Sequence, residues 1–431
     1  MNFKIYTFGC KVNQYESEFI RKLMIGEGFT STENDKDADV FIVNSCTVTA
    51  VSESKIRRFL GRLRRLSPNS VILLCGCMSQ AFPRKYENFT SCDIVIGNGN
   101  HTVIPGLIRR YMETGEKIIR IEPHDRKSEA FETCEIEDFS ERTRAFLKIE
   151  DGCDRFCSYC IIPYARGRVR SKPLEDIKKE TDILAQKGFE EIVLVGINLS
   201  KYGTDISLNL CDAVLAVAKS SNIKRIRLGS LEPELLTSDM LKALAECEKF
   251  CPQFHLSLQS GCDATLKRMN RHYTGAEYAE IVSNIRSLFP NSSITTDVMV
   301  GFPGEDEEEF QQSLDFVKSI GFAKVHVFPY SRRSGTVADK MDGQLAKAVK
   351  DERARLMSEL AESRRFDYLN SQLGTVSQVL IERKFDENYL EGYSLNYTPV
   401  LVKTTDTALC HKCVDVTLTE VSGDYCIGEL I

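Results

Sequence analysis

A chain of 431 residues has room for about three domains of ~150 residues, and 42% hydrophobic content supplies ordinary cores. The net charge of −6 gives no bulk attraction for nucleic acid, no apolar run approaches the ~18 residues of a membrane span, and Met1-Asn-Phe-Lys-Ile-Tyr lacks the regions of a secretory signal. A cytoplasmic protein with no membrane partner is expected, in which sixteen cysteines point to metal or catalysis rather than a disulfide framework.

Residues 1–135 read as an α/β domain. Lys4–Phe8 is a short strand, Gln14–Glu27 a helix stopped by Gly28, and Asp39–Asn44 a buried parallel strand. Ser52–Leu66 is a basic helix, and Val71–Cys75 and Asp93–Ile96 are further strands. An open parallel sheet collects ligands at the carboxyl ends of its strands. Cys10, Cys46 and Cys77 each follow a different strand, so the topology predicts a three-cysteine site at one sheet edge. Cys75 lies inside its strand and reads as core.

Residues 140–370 repeat a strand–helix unit, with strands expected at Ala145–Ile149, Glu191–Val195, Arg225–Gly229, His255–Leu258, Thr295–Val300 and Lys324–Phe328. Helices are expected from Pro173 to Gly188 and after Pro303-Gly304, where Glu305–Glu309 suit a helix N-terminus. Six parallel strands predict an open, partial (β/α)6 barrel rather than a closed eight-stranded one. Directly after the first strand comes Cys153-Asp-Arg-Phe-Cys157-Ser-Tyr-Cys160. Three thiolates can hold three irons of a cubane and leave the fourth open to an outside ligand. Zinc prefers paired spacing with a fourth ligand, and no histidine lies near. Residues 344–372, free of Pro and Gly, form a long connecting helix.

Residues 371–431 contain five short β-patterned pieces: Thr375–Ile381, Leu390–Tyr393, Val400–Lys403, Cys413–Thr419 and Tyr425–Leu430. They predict a small antiparallel barrel of OB-like type. Cys410 and Cys413 have no second pair and read as structural.

The cysteine run, with Tyr159 before its last member, resembles the signature of radical S-adenosylmethionine (SAM) enzymes. Across nearly the whole chain the sequence resembles their methylthiotransferase family. The markers are Thr7-Phe-Gly-Cys10-Lys-Val-Asn-Gln-Tyr-Glu-Ser17, Asn44-Ser-Cys46-Thr-Val-Thr, Gly76-Cys77-Met-Ser-Gln80 and Cys160-Ile-Ile-Pro-Tyr-Ala-Arg-Gly-Arg-Val-Arg-Ser171. Gly196-Ile-Asn-Leu-Ser-Lys-Tyr-Gly203, Ser230-Leu-Glu-Pro233, Leu256-Ser-Leu-Gln-Ser-Gly261 and Val300-Gly-Phe-Pro-Gly-Glu305 complete them. The C-terminal piece is similar to a TRAM domain, an RNA-binding barrel. The first run and Glu391-Gly-Tyr-Ser-Leu-Asn-Tyr-Thr398 resemble the branch acting on threonylcarbamoyladenosine in tRNA. The sister branches act on isopentenyl-adenosine in tRNA or on a ribosomal-protein aspartate.

The resemblance implies two [4Fe-4S] clusters. One, on Cys153, Cys157 and Cys160, would bind SAM and cleave it to a 5′-deoxyadenosyl radical that takes hydrogen from adenine C2. The other, on Cys10, Cys46 and Cys77, would hold the sulfur that a second SAM methylates. Tyr159, Gly196, Asn198, Ser230, Glu232, Gln259 and Asp297 are the implied SAM contacts. tRNA and a flavodoxin-like or ferredoxin-like electron donor are the implied partners. Arg166, Arg168 and Arg170, with Lys172, are candidates to neutralise phosphates, as are the basic residues of Ser52–Leu66. Residues 370–431 oppose this trend, with four Lys or Arg against nine Asp or Glu. Arg332 and Arg333 are candidates to meet the threonylcarbamoyl carboxylate. From another class, an electron carrier fused to an RNA-binding domain would need closed clusters and no SAM pocket.

Overall fold

The computed structural model describes residues 1–47, 49–86, 89–124, 130–136 and 143–431. The junction expected between residues 135 and 140 lies almost wholly outside them, as does Val48 of the second marker run. The N-terminal sheet has six parallel strands in the order Thr30–Ser31, Asn2–Thr7, Val40–Ser45, Val71–Gly76, Ile94–Ile96 and Ile118–Arg120. Its two edge strands, of two and three residues, were too short to show periodicity. The central strands are apolar on both faces because helices cover both. Ile20 and Met24 of Lys11–Gly26, with Ile104 and Ile108, pack on Val40, Ile42 and Leu73. Ile56, Leu60 and Leu63 of Ala50–Leu66 pack on Phe41, Val43, Ile72 and Leu74.

The middle of the chain forms six adjacent parallel strands: Ala145–Lys148, Glu191–Val195, a third broken at Gly229 into Arg225–Leu228 and Ser230–Leu231, then Gln253–Leu256, Ser293–Val300 and Lys324–Pro329. An isolated parallel bridge between Ile226 and Phe250 carries the sheet across the break. Helices return between the strands and start at polar caps. Asn209 and Thr274 form capping boxes, and Asp306 accepts from Glu309 N at 2.9 Å, which starts the last of these helices at Glu307.

Helix Lys347–Ser371 leads to a closed five-stranded barrel of Val376–Lys384, Tyr389–Ser394, Pro399–Lys403, Cys413–Ser422 and Tyr425–Leu430. Four of its pairings are antiparallel; Pro399–Lys403 against Tyr425–Leu430 is parallel. This barrel is docked on the middle one through arginines. Arg225 donates to Tyr393 O and Gln378 O, and Arg227 donates to Ser394 O and Leu395 O, both at 2.7 Å. Glu191 balances them, 2.7 Å from Arg227.

The N-terminal sheet is joined to the middle barrel in two ways. Val12, Tyr15 and Phe19 of the first helix enter the same core as Ala145, Phe146 and Leu147. Beside them lies a buried knot of charge. Lys148 contacts Glu16 at 2.9 Å and Asp151 at 2.6 Å. Arg166, fully buried, pairs with both oxygens of Glu16 and reaches Asp151 at 3.2 Å. Burial opposes charge on Glu16, but Arg166 and Lys148 outweigh it and hold the carboxyl down to about 2. Asp151 is lowered too: burial opposes, and Lys148, Arg166 and Arg170 prevail.

Removing one partner of such a network leaves an uncompensated buried charge, so Arg166→Ala should cost about 3–5 kcal/mol in denaturant unfolding. The Glu16 carboxyl lies below its ordinary value in the folded protein. Its contribution is therefore present above pH 4.5 and is lost as pH falls towards about 2, a window that acid unfolding of wild type against Glu16→Gln should show.

Candidate functional site

The carboxyl ends of the N-terminal strands are in register: Thr7 pairs with Asn44, and Ser45 with Gly76. Cys10, Cys46 and Cys77 therefore emerge along one edge. Tight backbone packing brings them closer. A Cβ on Gly9 (φ +135) would stand 2.9 Å from Cys46 Cβ, and one on Gly76 (φ +97) would stand 2.5 Å from Ser45 O. Asn13 Oδ1 accepts from Cys10 N at 3.2 Å, and Asn44 Nδ2 donates to Asn13 O at 2.9 Å, which ties the first helix to the second cysteine's strand. Burial pushes the Cys77 thiol up to about 12 against the pull of Arg166, whose Nε donates to Cys77 Sγ at 3.1 Å. Cys75 is buried in its strand with its thiol directed at Val43 O, as core.

The second cysteine group sits in an excursion from the first barrel strand. Glu150–Asp151 and Arg170–Ser171 form an antiparallel pair at its base, and Cys153 N donates to Gly167 O at 2.9 Å. A Cβ on Gly152 (φ +91) would lie 1.9 Å from Arg168 O, so only glycine lets the excursion close. Cys153, Cys157 and Cys160 are half-buried. Polar donors face the sulfurs: Asn198 Nδ2 is 3.6 Å from Cys153 Sγ, and Arg271 Nη1 is 3.4 Å from Cys157 Sγ. Burial pushes Cys153 up to about 12 and raises Cys160 as well. Among the described residues, no three His, Cys, Asp or Glu side chains surround the position of one metal ion. In a cubane each thiolate takes a different iron, so its ligands stand apart.

The two groups are mechanically coupled. Helix Ile162–Arg166 starts two residues after Cys160, packs on helix Cys77–Ala81, and ends in the arginine that binds Cys77.

A cavity of about 1040 Å³ fills the barrel and is walled by all three parts of the chain: Cys10 and Lys11, then Gly196, Ser230 and Asp297, then Tyr393 and Tyr397. Three of the expected SAM contacts thus share one space with Cys10. Asn198 lies beside it, with Oδ1 buried and without a partner among the described residues. Glu150 is similar: Oε2 accepts from Asn198 N at 2.6 Å, while Oε1 is buried and unpartnered. Burial, then the charge of Asp151, raises its carboxyl well above the ordinary value. A Cβ on Gly196 would be 2.6 Å from Glu150 Oε2. A glycine-lined cradle, orphaned amide and carboxyl atoms, and thiols facing N–H donors fit SAM on an iron–sulfur cluster.

The remaining expected contacts do not line this cavity, and Glu232 lies beside the second cysteine group through Arg271. Glu232 pairs with Arg271 through both oxygens. Gln259 (φ +67) bridges to the neighbouring strand by donating N–H to Asp297 O. Tyr159 stands edge-on to Phe302 in a small separate core. The phosphate-contact reading of the arginine run is corrected. Arg166 is fully enclosed by Glu16, Asp151 and Cys77, and Arg170 is buried with Nη1 on Arg166 O. Lys172 is buried on Glu180. Arg168 alone of the three arginines is exposed. Arg333 is likewise buried on Glu53 and Thr47, and Arg332 pairs with Asp339; neither lines the cavity. On helix Ala50–Leu66, Lys55, Arg57, Arg58, Arg62 and Arg65 occupy the exposed face. Sequence reasoning missed Glu16, Lys148, Glu150, Asp151 and Arg271. Glu16 stood inside a marker run, and Glu150 and Asp151 directly precede Gly152; Arg271 carried no spacing signal.

The geometry is that of a radical SAM enzyme: a parallel partial barrel with three cysteines after its first strand. The model of the Radical SAM superfamily matches residues 147–317, and that of Uncharacterized protein family UPF0004 matches residues 2–97. A Bacillus subtilis (strain 168) protein named threonylcarbamoyladenosine tRNA methylthiotransferase MtaB is 35% identical over 432 residues, covering 99% of this chain and 95% of that one. A Clostridium perfringens (strain SM101 / Type A) protein named tRNA-2-methylthio-N(6)-dimethylallyladenosine synthase is 34% identical, covering 100% and 97%. The chain belongs to the methylthiotransferase family of radical SAM enzymes. The radical SAM methyltransferase TsrM of Kitasatospora setae shares the fold, with a TM-score of 0.59 at 14% identity over 78% of this chain and 76% of that one. Membership brings SAM and a [4Fe-4S] cluster.

Gly196→Ala should crowd Glu150 and weaken SAM binding about tenfold or more, roughly 1.4 kcal/mol, in equilibrium dialysis of the iron-loaded protein.

Proposed function

We propose that this enzyme 2-methylthiolates N6-threonylcarbamoyladenosine at position 37 of tRNA. In this reading Cys153, Cys157 and Cys160 hold the SAM-binding [4Fe-4S] cluster, and Cys10, Cys46 and Cys77 hold a second one. The observation that carries it is the shared cavity: Cys10 of one group borders the space lined by Gly196, whose neighbour Asn198 reaches Cys153 of the other. When bound, SAM and the clusters supply the radical and sulfur chemistry that an unactivated adenine C–H bond requires.

The chain's own residues bind, orient and shield. Asn198 and Arg271 direct N–H donors at sulfurs of the first group, and Arg166 directs one at Cys77; such donors stabilise thiolates and orient ligands. Thiols held near 12 by burial must lose their protons to take iron, so assembly releases protons. Gly196, Ser230 and Asp297 offer backbone approach and hydrogen-bond partners to SAM. Arg168 is the arginine free to meet a phosphate. Electrons come from a flavodoxin-like or ferredoxin-like donor. No described helix is long and apolar enough to cross a membrane.

The Bacillus subtilis relative's name supports the threonylcarbamoyl branch. So does the cavity wall, where the side chains of Lys11 and Lys324, without an ion-pair partner among the described residues, are cations that an isopentenyl group has no means to use.

Triple replacement of Cys153, Cys157 and Cys160 by Ala should leave about four irons per chain and abolish SAM cleavage. Triple replacement of Cys10, Cys46 and Cys77 should leave a similar iron content with SAM cleavage intact and methylthiolation lost. Two full clusters in either variant would show the ligand sets to be wrong; so would an inactive Cys75→Ala beside an active Cys77→Ala.

Cells lacking this protein should contain threonylcarbamoyladenosine without its 2-methylthio group, by nucleoside mass spectrometry of tRNA. Isopentenyl-adenosine derivatives should keep theirs. Loss of the methylthio group from the isopentenyl derivatives instead would overturn the branch.

A further inference from the structure

The charged residues lining the cavity are almost all paired. Arg144 is held by Glu382, Arg227 by Glu191 at 2.7 Å, Arg383 by Glu391 at 2.7 Å, and Asp297 faces His255 at 3.3 Å. Two lysines differ. Lys11 and Lys324 line the cavity, and their side chains form no hydrogen bond or ion pair with a described residue. Each lining carboxylate already has a partner, so the wall carries an excess of positive charge that an incoming anion would balance.

Position separates the two lysines. Lys324 opens the last barrel strand, at its amino end, and also borders a second, smaller cavity with Arg365 and Asp424. Lys11 directly follows Cys10; Arg144 and Arg227 lie near enough to oppose its charge, and Glu191 near enough to favour it. The chemistry of the base favours Lys11. Adenine C2 and C6 flank N1 on one edge of the ring, so a substituent on N6 lies along the edge that is being modified at C2. A group that meets this substituent must stand close to where sulfur is delivered, and Cys10 belongs to the cysteine group assigned to that role.

We propose that Lys11 is a specificity-determining residue that receives the carboxylate of the threonylcarbamoyl group. The proposal rests on the function given above and replaces Arg332 and Arg333, which are engaged elsewhere. Arg144 and Arg227 add positive potential without surrendering their own partners. Lys11 is exposed to the cavity, and a neutral alkyl substituent would cover it without offering it a partner, so the same contact that favours the acid disfavours the isopentenyl base.

The test uses the iron-loaded enzyme with SAM and anticodon stem–loop RNAs that differ only at position 37: adenosine, threonylcarbamoyladenosine, or its methyl ester, which removes the charge. Iron is counted first in every variant. Wild type should bind the acid RNA about tenfold or more tightly than the ester. Lys11→Gln should bind acid and ester alike, and Lys11→Arg should restore the preference. Equal binding of acid and ester by wild type would overturn the proposal whether or not any variant loads its clusters. So would a preference that survives Lys11→Gln and disappears in Lys324→Gln. A wild-type enzyme that prefers the acid RNA but does not methylthiolate it would refute the proposed function and leave Lys11 as a carboxylate contact. One that methylthiolates acid and ester equally would refute Lys11's role and leave the reaction standing.

Discussion

Glu16 and Asp151 meet Lys148 and Arg166 in the interior, where neither acids nor bases tolerate isolation. Each charge comes from a different structural unit: the first helix, the first barrel strand, the residue before the cysteine excursion, and the helix after it. None can shift without exposing another as an unpaired buried charge. Arg166 also donates to Cys77, so the knot fixes the separation of the two cysteine groups. A chemistry that passes a hydrogen atom and a sulfur group at one carbon depends on such fixed separation, because positioning is the protein's main contribution when cofactors supply the reactivity.

The C-terminal barrel contributes to the same site in a way its charge disguises. Glu382 and Glu391 are acidic residues in the count, yet they pair with Arg144 and Arg383 around the cavity. Tyr393 and Tyr397 stack at 4.6 Å, and Arg144 lies over both rings at 4.9 Å. The run Glu391–Thr398 is thus a docking turn and a cavity wall together. Net charge over the segment says little about this wall, since Glu382 meets Arg144 of the middle unit while Glu391 pairs with Arg383 of the barrel itself.

Glu150 and Asp151 are adjacent carboxyls shifted in opposite directions, the first raised and the second lowered. Asp151 is surrounded by cations; Glu150 has only backbone N–H donors and lies beside the Asp151 charge. The glycine at 196 leaves room for it.

The sequence by itself determined the strands, because Val40–Ser45 and Val71–Gly76 are apolar on both faces and only a covered parallel sheet buries them. It also determined the placement of six cysteines, since the carboxyl ends of parallel strands are fixed once the strands are. Edge strands of two or three residues stayed hidden for want of a period. The direction of long side chains was decided only by tertiary structure. Arg166 and Arg168 are two residues apart with the same chemistry, yet one is sealed on carboxylates from 15 and 150 positions away and the other faces solvent. Lys11 sits in a marker run as one more polar residue until three separate units close a cavity around it. A charged side chain's role depends on its partners, and partners distant in sequence leave no local pattern.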